Sequence, residues 1–263
     1  GEQRLWLDVF GATCSGSAQS PVDLDTSRVL DGGSPELLSF PQGHKLGPLL
    51  WSHLNATVRA VPSVGRGTWS LLLEAPYDGT TRTEYFGHAF GLRSLTLHVP
   101  SENTLDGRHY DMEAQLLHRP VEAEGATQHL VTSVMLRIAD GSTGGAENGF
   151  LQSIREGYGG PAAAGGGIFL GNPYQFLYPR DRSYYAFNGS LTAPPCSPAV
   201  WVVFAAPVDI SAEQLRFFRG AMDVARPSAL RRAPSEPAPA GVSCAAPCPD
   251  GYAWNRSSGT NAR

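Results

Sequence analysis

Chemistry in this chain has one obvious place to sit, the stretch Leu95 to His118, which reads LTLHVPSENTLDGRHYDMEAQLLH. Thr96 and His98 stand two apart in an alternating segment, so both side chains project from one face of a strand. A short polar turn follows, and a second alternating segment carries Glu113 and Gln115, again two apart. A hairpin of this kind has the layout of a metal site, with donors converging from adjacent strands. Its donors are unusual for zinc: a threonine, one histidine and a glutamine stand where imidazoles would serve best. With Glu102 in the turn and Glu113 beyond it, His98 could instead join two carboxylates around another metal or in weak hydrolysis. No HExxH, CxxC, GxSxG or GxGxxG motif occurs elsewhere, so no familiar alternative machinery competes.

The elements that must hold this hairpin are mostly strands. Period-two segments recur at Thr57 to Val61, Trp69 to Glu74, Ser94 to Val99, Tyr110 to His118, His129 to Ile138 and Val200 to Phe204. Clusters of Gly, Pro, Asp and Asn separate them as turns. Two stretches predict helices. Glu147 to Glu156 places Phe150, Leu151 and Ile154 on one side. Ser211 to Val224 opens with a capping box, Ser211 and Gln214, ahead of a stripe of Leu215, Phe218 and Met222. Many strands with few helices indicate a mainly β (α+β) protein built on one large sheet. The Gly-rich runs 141–145 and 159–167 read as surface loops. The Pro-rich segment 233–240 divides a domain over residues 1–234 from a linker and cysteine-containing tail over 235–263.

At 263 residues, with 41% hydrophobic and 17% charged side chains, the chain can bury a substantial core. Its net charge of -4 argues against nucleic acid as a partner. No apolar run approaches a membrane span, and no signal peptide opens the sequence. Four cysteines (Cys14, Cys196, Cys244, Cys248) and three sequons, at Asn55, Asn188 and Asn255, favour the extracellular space, the cell surface or an organelle lumen.

Several pieces in order resemble the α-class carbonic anhydrases, particularly their bacterial, algal and plant members. HVPSENTLDGRHYDMEAQLLH is similar to the family's H-F-H-x-P-S-E-H-T-x-x-G-x-x-Y-x-M-E-A-H-L-V-H. SAQSPVDL, DRSYYAFNGSLTAPPCSPAVWVVF and APVDISAEQLRFFR match further family segments, so the resemblance spans about Cys14 to Pro234. It implies a large, mostly antiparallel twisted sheet with a few surface helices, and a disulfide between Cys14 and Cys196. A second bridge between Cys244 and Cys248 is also expected.

In the family, three histidines hold a zinc ion and lower the pKa of its water to about 7. The resemblance places the three ligand positions at Thr96, His98 and Gln115. It makes Glu102 and Thr192 a hydrogen-bonded pair, and Glu113 the support of the third ligand, a task the glutamine would remove. His118 matches a histidine that is not a ligand and, by its odd offset, lies on the face opposite Gln115. His88, between glycines, reads as a solvent-facing loop residue. Leu117, Leu191 and Trp201 match pocket-wall positions and are equally natural core residues. The family's proton-shuttle position falls near Ala56, with His53 close by.

Two of three imidazoles being replaced, the expectation is a catalytically silent scaffold that is not an enzyme and needs no cofactor, zinc included. Glu102, Thr192 and Glu113 are then a vestigial pocket. Function moves to surfaces: protein partners engaged through the tail, with Tyr252 and Trp254 as anchors, in an extracellular or luminal assembly. Two alternatives stand beside it. One is a metal-dependent hydratase or hydrolase with altered ligands. The other is a glycan- or anion-binding surface using Arg226, Arg231 and Arg232.

Overall fold

The computed structural model describes residues 14–31, 50–52, 58–65, 68–73, 82–85, 88–121, 128–139, 147–157, 168–171, 173–181, 183–223 and 243–244. Sixteen strands lie among them. In chain order they are β1 (Asp23–Leu24), β2 (Leu30–Asp31), β3 (Leu50–Ser52), β4 (Val58–Gly65), β5 (Thr68–Leu73), β6 (Arg82–Tyr85), β7 (His88–His98) and β8 (Thr104–Leu105). They continue with β9 (Arg108–His109), β10 (Met112–Pro120), β11 (His129–Ile138), β12 (Ile168–Gly171), β13 (Tyr184–Ser190), β14 (Pro198–Phe204), β15 (Val208–Ile210) and β16 (Ser243–Cys244).

One large sheet dominates, in the order β12-β4-β5-β7-β10-β11-β14-β13-β16-β2, with β15 beside β11 and the β3–β6 pair beside β7. Most of its pairs are antiparallel; β11 runs parallel to β14 and β15, and β16 parallel to β2. The mainly β, mostly antiparallel architecture expected from the sequence is therefore the one found. β7, β10 and β11 lie centrally, and their apolar residues, including Leu95, Leu97, Ala114, Leu116, Val134 and Leu136, are almost wholly buried. β10 is buried along nearly its whole length on both faces, so its burial does not alternate.

The helices are α1 (Gly149–Gly157), α2 (Pro173–Leu177) and α3 (Ala212–Asp223). Asn148 starts α1, its Oδ1 accepting from the N–H groups of Phe150 and Leu151 at 3.1 and 3.2 Å. The capping box of α3 is present: Ser211 Oγ accepts from Gln214 N at 3.1 Å, and Gln214 Oε1 accepts from Ser211 N at 3.3 Å. Both predicted apolar stripes face the core, with Phe150, Leu151, Ile154, Leu215, Phe218 and Met222 buried. The five-residue α2 was outside the expectation, being too short to show a period.

A disulfide joins Cys14 to Cys196 across 182 residues of sequence. Beside it Gly189 lies against Ser20, Phe187 and Trp201, and a Cβ there would collide with the Ser20 hydroxyl. Ser243 and Cys244 pair with Ala186 and Tyr185 of β13 and with Leu30 and Asp31 of β2, so this part of the tail joins the sheet. No helix among the described residues is long and apolar enough to cross a membrane.

Candidate functional site

β7 and β10 pair antiparallel, and the register sets Gln115 directly opposite Thr96 and Glu113 opposite His98. Opposed residues share a sheet face, and so do residues two apart. Thr96, His98, Glu113 and Gln115 therefore form one patch on the centre of the sheet. On the outer flanks the same rows continue to Ser70 of β5 and Ser133 of β11. The turn after β7 brings Glu102 back over this patch.

Glu113 anchors the cluster. Fully buried, it accepts five hydrogen bonds: from the backbone N–H of Glu102 (2.7 Å) and Asn103 (2.9 Å), from Asn103 Nδ2 (2.6 Å), from Ser133 Oγ (2.6 Å) and from Gln115 Nε2 (3.2 Å). A buried carboxylate so completely hydrogen-bonded is a stable fixture, where an unpaired one would be strongly unfavourable. The bond to Gln115 corrects the expectation that a glutamine ends Glu113's task, because the amide still takes its support there.

Glu102 departs from expectation in another way. Its Oε1 lies 3.3 Å from His98 Nδ1 and its Oε2 accepts from Gln115 Nε2 at 3.2 Å. Among the described residues, Thr192 is not one of its partners: the half-buried hydroxyl lies in the turn before Cys196. His98 has the site's one orphan atom. Its side chain is 7% exposed, and its Nε2 is buried with no hydrogen-bond partner among the described residues.

His118 stays apart from the cluster, as expected. It is fully buried, with Nδ1 against Leu130 O at 3.2 Å and Nε2 against Tyr174 Oη at 3.0 Å. Burial lowers its pKa to about 4, so it is neutral at physiological pH. His88 opens β7 instead of lying in a loop, and it is exposed. Trp201 is a core residue, donating from Nε1 to Ser190 O at 3.0 Å and stacked on Phe187. Leu117 and Leu191 are partly buried against the core. Asn188 is exposed on β13 and accepts from Gln128 Nε2 at 3.4 Å. His53, Asn55, Ala56, Arg226, Arg231, Arg232, Cys248, Tyr252, Trp254 and Asn255 lie outside the described residues, as does the Cys244 side chain.

A broad, mostly antiparallel sheet with donors and carboxylates gathered on two adjacent central strands is the architecture of an α-class carbonic anhydrase. A family model for eukaryotic-type carbonic anhydrase matches residues 2–233, and the chain belongs to that family. It is 37% identical over 137 residues to a carbonic anhydrase of Klebsiella pneumoniae, covering 52% of each chain. With a carbonic anhydrase of Dunaliella salina it shares 27% identity over 234 residues, 81% of this chain and 38% of that one. The chain thus spans about half, or less, of the length of these curated relatives. Its fold superposes on the α-carbonic anhydrase of Thermovibrio ammonificans, solved with the inhibitor sulfanilamide, at a TM-score of 0.66 and 26% identity, covering 93% and 96% of the two chains.

These relatives overturn two expectations, that the protein is not an enzyme and that it needs no zinc. Chains named carbonic anhydrase match it at up to 37% identity, and they point to an enzyme in a family of zinc enzymes. The expectation rested on two side chains and overlooked what the folded site presents. Among the described residues no three His, Cys, Asp or Glu side chains converge as a metal site, so an ion here would need oxygen donors as well. The patch offers them. Both N–H groups of the Gln115 amide are spent on carboxylates, which leaves its Oε1 as the end able to serve as a donor to an ion, on the residue paired with Thr96. One imidazole nitrogen, one amide oxygen and one hydroxyl fit a divalent ion, as a weaker set than three imidazoles.

Proposed function

We propose that the chain is a metal-dependent hydratase of the carbonic anhydrase kind, acting from the His98 patch with an altered ligand set. The observation that carries this reading is the buried Nε2 of His98, unpartnered among the described residues, in a patch whose Gln115 amide spends its nitrogen on two carboxylates. A buried imidazole nitrogen without a partner is unfavourable by about 1–3 kcal/mol, a cost that a bound ion would remove. His98 Nε2, Gln115 Oε1 and the Thr96 hydroxyl are the residues that would hold it. When bound, zinc supplies the Lewis acidity that hydration of carbon dioxide needs at neutral pH. Glu102 reaches His98 and Gln115 from the turn after β7, and Glu113 holds Glu102 through its backbone N–H.

The test is carbon dioxide hydration by the protein with excess zinc, read beside metal content. Zinc-dependent activity that is lost in His98→Ala supports the reading. Thr96→His/Gln115→His should bind zinc more tightly and hydrate carbon dioxide faster than the parent. A parent inert at saturating zinc would overturn it.

A further inference from the structure

We propose that Glu102 is the positioning residue of this patch, locking His98 in its Nδ1–H tautomer and sharing with Glu113 the orientation of the Gln115 amide. The inference rests on the proposed function only in what those atoms are presented to.

Three observations converge on it. Glu102 follows His98 by four residues, and its backbone N–H is held at 2.7 Å by the buried carboxylate of Glu113, which fixes where its side chain starts. From there one carboxylate reaches two partners, His98 Nδ1 at 3.3 Å and Gln115 Nε2 at 3.2 Å. At 3.3 Å a carboxylate oxygen repels a ring lone pair and attracts a ring N–H, which favours the imidazole proton on Nδ1 and the lone pair on the unpartnered Nε2.

The amide follows the same logic. Gln115 Nε2 lies 3.2 Å from Glu102 Oε2 and 3.2 Å from Glu113 Oε1, and uses its two hydrogens on them. The flipped amide would set its oxygen against two carboxylate oxygens, acceptor against acceptor. The Gln115 amide is therefore held by Glu102 and Glu113 together, whereas Glu102 alone faces His98 Nδ1. The side chain of Glu102 is 28% exposed, so it can be changed without opening the core.

Glu102→Gln is the decisive variant, because its amide can donate as well as accept and no longer dictates either partner. Long-range proton–nitrogen spectra of histidine-labelled protein at neutral pH report the tautomer, with the His98 signals identified by their loss in His98→Ala. The parent should show Nδ1–H and Glu102→Gln a shift toward Nε2–H. In parallel, a Co2+ titration followed by visible absorption should weaken by about 10- to 100-fold in Glu102→Gln. An Nε2–H tautomer in the parent, a tautomer unchanged by Glu102→Gln, or an unchanged Co2+ affinity in a parent that does bind Co2+ overturns the proposal. A tautomer released by Glu102→Gln in a parent that takes up no Co2+ upholds the positioning role and removes the metal-dependent function instead.

Discussion

His118 illustrates how one side chain in this fold ties stability to pH. Its ring is fully buried between Leu130 O and Tyr174 Oη, and burial lowers its pKa to about 4 from the usual 6.5. The unfolded chain therefore takes up a proton first as pH falls. The contribution of His118 to stability is complete above about pH 6.5, declines between about 6.5 and 4, and is then lower by about 3 kcal/mol. Urea midpoints measured across that range should show this slope, and His118→Gln should flatten it while lowering stability at neutral pH. The role of His118 was legible from its odd offset to Gln115. That of Glu102 was not, because its partners depend on where a turn returns a side chain.

At the scale of elements, a single glutamine joins two helices. Gln214 Oε1 accepts from Ser211 N within the capping box of α3 and also from Asn148 N at the start of α1. Its Nε2 donates back to Asn148 O at 2.8 Å. Gln214→Ala would strip a buried N–H of its acceptor and open the cap, lowering stability by about 2 kcal/mol in urea unfolding with little change in slope. Gln214→Glu keeps the acceptor and should lose less. The capping box could be read from four consecutive residues. Its second use, as a clip onto α1, could not, because the two partners lie 66 residues apart. β10 poses the opposite difficulty: Glu113, Gln115 and His118 are polar residues on a central strand, yet all three are buried, which residue type alone does not show.

Across the whole molecule, the Cys14–Cys196 disulfide ties the first described segment to the turn before β14 over 182 residues. Ser20 and Ser190 exchange hydrogen bonds at 3.2 and 3.4 Å near it, and Gly189 gives the segment room to approach. In the chain-entropy picture a loop this long is worth about 5 kcal/mol. Cys14→Ser/Cys196→Ser should fall in urea midpoint by roughly that free energy, and reductant should carry the parent toward the variant. Such a bond belongs to oxidising compartments, which agrees with the compartment expected from the cysteines.

The family, the sheet class, both longer helices and the hairpin that carries the site were determined by the sequence alone. Each is written in local periodicity, caps or contiguous motifs, which need only neighbouring residues to be read. Tertiary structure alone decided what the site's side chains do. Glu102 turns to His98 and Gln115, Glu113 keeps hold of Gln115, and His98 Nε2 is left buried without a partner. Those outcomes depend on which hydrogen-bonding groups meet across strands and turns, and residue type fixes only what each group can donate or accept.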